Sequence, residues 1–299
     1  MASDMRAVID TGSNTVRLCV YSVGRNKSLK KVFDERKPVG LAQYVQDGVM
    51  SEEGVKAAAK AINGQLNCVR LLGCNNVVVF ATAALRNCEN SKRAVRSLEG
   101  QINTNVDLLS AKTEAELGYI GAKTYLDFRE GVCVDIGGGS TEISVVTDGK
   151  VKQSVSIPQG SLSAWKSYVA GVLPTQDELA LLRGDFGKAL DESGIDISAS
   201  CSVCGVGGSI RNTAKLYGNM FCDGERPASV CKEHVDALLT VAEEEPYRFS
   251  RAMLAQRPDR LHTIIPGMAI LDEVLSRTNA NEIAVSKYGI REGYILSRL

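Results

Sequence analysis

Long apolar runs are missing from this 299-residue chain. None approaches the roughly 20 residues that a membrane-spanning helix needs, so no membrane association is expected. Net charge is missing too: 35 Lys and Arg balance 35 Asp and Glu. Generic nucleic-acid binding needs a broad basic surface, which this balance argues against. A small anion can still be held by a local cluster of N–H groups and an arginine. Histidine is scarce, with two residues. His234 lies in a helical pattern and His262 in no motif, so a histidine phosphoenzyme is not expected. The single Trp165, with Tyr168 at helical spacing, reads as core or interface rather than a base-stacking platform. The N-terminal stretch has one Arg and no apolar block of signal length, so secretion is not expected. Cysteine, by contrast, is not scarce. There are nine, an odd number in a large chain, which argues against a disulfide scaffold. Cys201-Ser-Val-Cys204 has the spacing of a zinc or redox pair, but no second close pair follows it. Buried or free thiols in a reducing cytoplasm are the expectation.

What is present is an internal echo. The stretch RAVIDTGSNTVRLCVYSVGRNKSLKKVF reappears in outline as GVCVDIGGGSTEISVVTDGKVKQSVSI. Each copy has an apolar run ending in Asp, at Asp10 and Asp135. A turn of small residues, an alternating strand, a tight turn and a third strand follow. Alternation with Gly-centred turns is the pattern of β-meanders, and two copies about 125 residues apart point to a duplicated α/β domain. Helical patterns cover Ser51–Gly73, Thr113–Lys123, a segment opened by the capping box Thr175-Gln-Asp-Glu178, and the closing IREGYILSRL. Short strands are expected at Val77–Ala81, Val106–Leu109, Ser202–Val206 and Glu282–Val285. The joint between halves falls near Gly118–Lys123, giving an N-terminal domain of residues 1–119 plus 289–299 and a second of 120–288.

The two echoed turns carry the chemistry. In Asp10-Thr-Gly-Ser-Asn-Thr15, Gly12 lets the backbone approach an anion, and Ser13, Asn14 and Thr15 add short donors. In Asp135-Ile-Gly-Gly-Gly-Ser-Thr-Glu142, Gly137, Gly138 and Gly139 each cost backbone entropy, so something must come close to that backbone. A phosphate, which accepts several N–H bonds at once, fits, with Ser140 and Thr141 beside it. Asp135 and Glu142 bracket the loop and could share a Mg²⁺, with Asp10 as a further metal candidate. Two such loops are expected to face one another across a cleft around one phosphate chain.

The run VIDTGSNT, ATAALRNCEN, LLSAKTEAEL, VDIGGGSTE, GVGGSIR and YGIREGY resembles, in order, the exopolyphosphatase/guanosine pentaphosphate phosphatase family in its short two-domain form. The resemblance covers nearly the whole chain and implies the duplicated, ribonuclease H-like fold of the actin-like ATPase superfamily. The chain also ends where the short members end, so further C-terminal helical domains are not expected. Position by position, the resemblance makes Arg86 a phosphate ligand, Glu114 the catalytic base, and Asp135 and Glu142 the acidic, metal-linked pair. Gly207, Gly208 and Ser209 match a third glycine turn that holds a nucleotide or the distal part of a chain. It further implies Mg²⁺ as cofactor and a homodimer. The chain departs from the family pattern at Thr113, usually acidic, at Ser110-Ala111, at Arg260-Leu-His262, and at Pro158–Leu162, which lacks an Arg common in relatives.

The reaction implied is attack of water on a terminal phosphoryl group of polyphosphate or guanosine pentaphosphate, with Glu114 taking the proton. Two other readings share the same loops: an ATP-using kinase or ATPase of this superfold, and a non-catalytic sensor of polyphosphate or an alarmone.

Overall fold

The computed structural model describes residues 4–299. The expected first domain and the segment searched for a leader both begin at residue 1; residues 1–3 lie outside the described residues. The chain forms two compact units. One holds the chain through Leu117 together with Ile290–Leu299, and the other holds Gly118–Gly289.

The first unit opens with the meander read from the echo: β1 (Asp4–Thr11), β2 (Thr15–Val23) and β3 (Leu29–Pro38). A small ribbon of β4 (Val45–Gln46) and β5 (Val49–Met50) precedes α1 (Glu52–Leu71), then come β6 (Asn76–Ala81), the short α2 (Ala83–Arg86), α3 (Ser91–Ile102) and β7 (Val106–Leu108). The main sheet runs β3-β2-β1-β6-β7. Its meander is antiparallel, and β6 and β7 are added in parallel. Strand alternation sends Ile9, Leu18, Val20 and Val79 to one face, in a core with Ile62, Leu66 and Leu98 of α1 and α3. The neighbours Cys19, Tyr21 and Phe80 are equally buried but belong to the opposite face. The outer strand β3 carries six charged residues, Lys30, Lys31 and Asp34 to Lys37, as an edge strand protected from pairing should.

Local chemistry sets the helix ends. Ser51 Oγ accepts the N–H of Gly54 at 3.1 Å, so α1 starts at Glu52, with Glu52 and Glu53 at the positive end of its dipole. Helix α4 (Ala111–Leu126) begins two residues earlier than the pattern suggested, because Ser110 Oγ accepts the N–H of Thr113 at 3.1 Å.

The second unit repeats the plan. Its strands are β8 (Gly131–Ile136), β9 (Thr141–Thr147), β10 (Lys150–Ile157), β11 (Val203–Val206), β12 (Ser229–Cys231) and β13 (Glu282–Val285). Its helices are α5 (Ser161–Tyr168), α6 (Gln176–Glu192), α7 (Gly207–Phe221), α8 (Lys232–Glu244), α9 (Pro246–Gln256) and α10 (Leu261–Ser276). The sheet order is β10-β9-β8-β11-β13-β12, again an antiparallel meander extended in parallel through β11 and β13. The capping box is formed: Thr175 Oγ1 accepts from the N–H of Glu178, whose carboxylate accepts from the N–H of Thr175. Helix α10 is buried along most of its length, and Ile265, Met268, Ala269 and Leu271 lie in the unit's core. The five strands β10-β9-β8-β11-β13 repeat the order of the first unit, with β12 added antiparallel at the edge, and this is the duplicated α/β fold expected from the echo.

The chain ends in α11 (Ile290–Leu296), which belongs to the first unit. Tyr294 stacks on Phe80 with ring centroids 5.1 Å apart, which places α11 on the face away from α1 and α3. Such a pair stabilises by about 0.5–1.5 kcal/mol beyond its buried area. The Tyr294 hydroxyl donates to Asp107 at 2.8 Å, and Arg298 donates to the same carboxylate at 3.1 Å.

Candidate active site

The turns at Gly12 and Gly137 have the same construction. Gly12 N–H donates to the Thr15 carbonyl at 3.2 Å, and Gly137 N–H to the Ser140 carbonyl at 3.0 Å. The segment after each third strand then ties down the loop from behind. In the first unit Val39 and Gly40 donate to the Asn14 carbonyl, and Ala42 to that of Ser13. In the second, Ser161 donates to the Gly137 carbonyl, and Leu162 and Ser163 to that of Gly138. With the carbonyls held this way, the N–H groups of Ser13, Asn14, Gly138 and Gly139 meet no protein acceptor among the described residues. A turn that engages its carbonyls and leaves consecutive N–H groups open is a concave anion receptor. The first turn adds buried side-chain groups that lack a partner among the described residues: Thr11 Oγ1, Asn14 Nδ2 and Thr15 Oγ1.

Gly160 makes the second turn possible. A Cβ there would stand 2.7 Å from the Ser140 nitrogen and 2.8 Å from the Gly137 oxygen, both backbone atoms. Its signal in the sequence is a Gly just after the third strand of each half, Gly40 before the 3-10 turn Leu41–Tyr44 and Gly160 before α5.

Asp135 and Glu142 are directly opposite on β8 and β9, which puts their side chains on the same face of the sheet. Glu142 is 3% exposed, and its Oε1 accepts from the hydroxyls of Ser140 and Ser156 at 2.7 and 2.8 Å. Asp135 Oδ1 lies against the backbone of Gly207, the first residue of α7, and a Cβ at 207 would collide with it. Gly207 also has φ +95°, so two independent constraints select glycine there. Ser209 Oγ donates to the Ile136 carbonyl at 3.2 Å, fixing this end of α7 beside β8. A Cβ at Gly208 would lie 3.8 Å from the Arg260 guanidinium. The third glycine turn thus sits beside Asp135, as the first turn of a helix.

In the first unit, Arg86 Nη1 is ion-paired with Glu114 Oε2, both side chains being less than 15% exposed. Arg86 also donates to the Leu109 carbonyl at 3.3 Å and to Asn87 at 3.2 Å. The two expected active-site residues therefore hold each other. Asp10 has a partner absent from the sequence reading: Arg291 of α11 donates from Nη1 to Asp10 Oδ2 at 2.6 Å.

Trp165 meets His262 edge-on at 4.7 Å and donates to the Gly171 carbonyl. His262 is held below its usual pKa by burial and by Arg260. Cys133 is held well above the usual thiol pKa by a hydrogen bond with Cys204 and by burial, so it is a poor nucleophile.

The family model of the Ppx/GppA phosphatase family matches residues 19–299. The chain belongs to the Ppx/GppA phosphatase family. It is 23% identical over 98% of its length to exopolyphosphatase 1 of Mycobacterium tuberculosis, covering 87% of that protein. It is 24% identical over 97% of its length to a putative exopolyphosphatase of Haemophilus influenzae, covering 90% of it. Among solved structures, an exopolyphosphatase from Cytophaga hutchinsonii superposes with a TM-score of 0.86 at 19% identity, over 99% of this chain and 98% of that one. The Aquifex aeolicus Ppx/GppA protein superposes with a TM-score of 0.81 at 21% identity, over 99% and 98% of the two chains. At these identities the structural likeness establishes the shared two-domain, actin-like α/β fold.

Two features of this Ppx/GppA member were not legible as site residues. Arg291 was visible only as part of the closing YGIREGY, and no periodicity connects it to Asp10. Ser156 lies in a strand of ordinary alternation, and only the pairing Glu142↔Ser156 between β9 and β10 brings it to the carboxylate. Among the described residues no helix is long and apolar enough to cross a membrane.

Proposed function

We propose that this protein is an exopolyphosphatase-type phosphohydrolase that releases the terminal phosphate of inorganic polyphosphate, with guanosine pentaphosphate as a second candidate substrate. The observation that carries the reading is the repeated turn, whose carbonyls are engaged from behind while successive N–H groups stay open. A polyphosphate presents a row of anionic oxygens able to fill such receptors. Gly12, Ser13, Asn14 and Thr15 make one receptor, and Gly137, Gly138, Gly139, Ser140 and Thr141 the other. Gly207, Gly208 and Ser209 supply the N-terminal end of α7 to a more distal phosphate or a nucleotide.

In the reaction, a water oxygen bonds to the terminal phosphorus as the bridging P–O bond breaks, leaving the shortened chain as the oxyanion. Glu114 orients this water and takes its proton. Substrate phosphate competes for the Arg86 guanidinium, loosening its hold on Glu114 and arming the base. The open N–H groups stabilise charge on the transferring oxygens without reorganising.

Mg²⁺ fits the acidic pair. The ion takes one or two carboxylates and completes its shell with substrate phosphate and water, which is what Asp135 and Glu142 on one sheet face offer. Asp10 is the further metal candidate, in the first unit, with one oxygen engaged by Arg291. When bound, the ion supplies charge neutralisation on the phosphate oxygens.

A cytoplasmic location is part of the proposal, supported by nine cysteines that are all free thiols. The homodimer implied by the resemblance is part of it too, and sedimentation velocity checks it. The decisive experiment measures phosphate release from polyphosphate, guanosine pentaphosphate and ATP in parallel, with and without Mg²⁺. Release from polyphosphate in excess of the other two is expected. Faster release from ATP would favour the kinase or ATPase reading, and tight binding with no release the sensor.

A further inference from the structure

The first unit contains a buried polar cluster in which Arg291, Glu292 and Tyr21 have no part in the proposed reaction. Arg291 and Glu292 are adjacent in α11, and both reach the same face of the sheet. Arg291 donates to Asp10 at 2.6 Å, and the Tyr21 hydroxyl donates to Glu292 Oε1 at 2.5 Å. The side chains of Arg291 and Asp10 are 12% and 14% exposed. Arg291 Nε is a buried donor with no partner among the described residues.

Asp10 closes the strand that feeds the turn. A Cβ at Gly12 would lie 3.9 Å from Asp10 Oδ1, so this oxygen faces the turn while Oδ2 faces Arg291. A carboxylate in that place is a problem for a phosphate receptor in two ways. Its negative charge repels the ligand in a poorly screened setting. Short acidic side chains also readily accept N–H bonds from the backbone two residues on, which would consume the donors that the phosphate needs.

We propose that Arg291 is a positioning residue for the phosphate turn. It fixes the Asp10 rotamer and offsets its charge, so that the N–H groups of Ser13 and Asn14 stay open to an anion. The proposal rests on the reading of that turn as a polyphosphate receptor. It does not need turnover, because the role concerns binding.

The test is the Kd of a defined-length polyphosphate, measured by calorimetry on the full chain well below the melting temperature, alongside phosphate release. R291Q is expected to weaken binding by about tenfold or more, the scale of an uncompensated charge near an anion site. With Kd measured without Mg²⁺, D10N/R291Q removes the stranded charge and is expected to bring Kd back to within about threefold of wild type. R291K, which keeps the charge and loses the fork, is expected to lie between the two. A merely structural role for Arg291 would lower the melting temperature without this reversal. If R291Q does not fold, D10N/R291Q and R291K decide the matter. A Kd for D10N/R291Q still weakened by about tenfold, or an R291Q variant that binds as wild type does, overturns the proposal. Wild-type protein that binds polyphosphate but releases no phosphate defeats the hydrolase reading alone. Wild-type protein that binds no polyphosphate defeats both.

Discussion

Arg86 and Glu114, 28 residues apart in sequence, form an ion pair in the first unit, both largely shielded from solvent. The pair points the Glu114 carboxylate and keeps Arg86 in place while no anion competes for it. Replacing Glu114 with Ala leaves Arg86 its bonds to Leu109 and Asn87, so the fold is expected to survive with a loss of about 1–3 kcal/mol. Phosphate release is expected to fall by about a hundredfold or more, the scale of lost general-base help. Steady-state kinetics on E114A, with circular dichroism to establish folding, check this. Turnover close to wild type would remove Glu114 as the base.

Gly160 has no room for a side chain. In G160A the new methyl would press on the Ser140 nitrogen and the Gly137 oxygen, and backbone cannot give way as a flexible side chain does. The expected cost is about 1–3 kcal/mol, the usual scale of overpacking. The larger effect falls on the receptor, because the displaced atoms are the turn itself. Weaker polyphosphate binding in G160A than in a surface control of equal stability, measured by calorimetry, is the expected result.

Removal of Mg²⁺ with a chelator is expected to abolish phosphate release while leaving the melting temperature nearly unchanged. The Glu142 carboxylate is already bonded by Ser140 and Ser156 without any ion. A metal shared with substrate adds little to a fold assembled in this way, unlike a structural metal site. Restored release on adding Mg²⁺ completes the test. A collapse of the fold on chelation would instead indicate a structural ion.

Asp34 on β3 gives the first unit an acid limit. Burial pushes its carboxyl up, but hydrogen bonds from Arg17 and Lys31, with Arg36 nearby, outweigh this and hold it well below the usual carboxylate range. Because the folded state lowers this pKa, the stabilisation is present above the unfolded value of about 4 and is lost as pH falls through the folded one. Wild type is expected to exceed D34N by on the order of 1 kcal/mol at pH 7. The gap should close progressively below about pH 4. Urea midpoints for both proteins between pH 7 and 2 measure this, and a gap that is constant across the range would refute it.

Much of this molecule is written locally. An apolar run, a turn of small residues and an alternating strand act within a few neighbours, so the meanders β1-β2-β3 and β8-β9-β10, and the glycine turns between their first two strands, follow from the residues in order. Thr175 with Glu178 forms its capping box for the same reason, since both partners lie within one helical turn. Partners brought together by packing are not written that way. Asp10 and Arg291 stand 281 residues apart, and α11 meets that sheet face where Tyr294 packs on Phe80. Gly160 is selected by backbone atoms of a separate loop, and Ser156 reaches Glu142 through strand register. The sequence by itself determined where the two turns of small residues fall, between the first two strands of each meander. Tertiary structure decided that they are held open, because only packing supplies the distant groups that engage the turn's carbonyls and the Asp10 carboxylate.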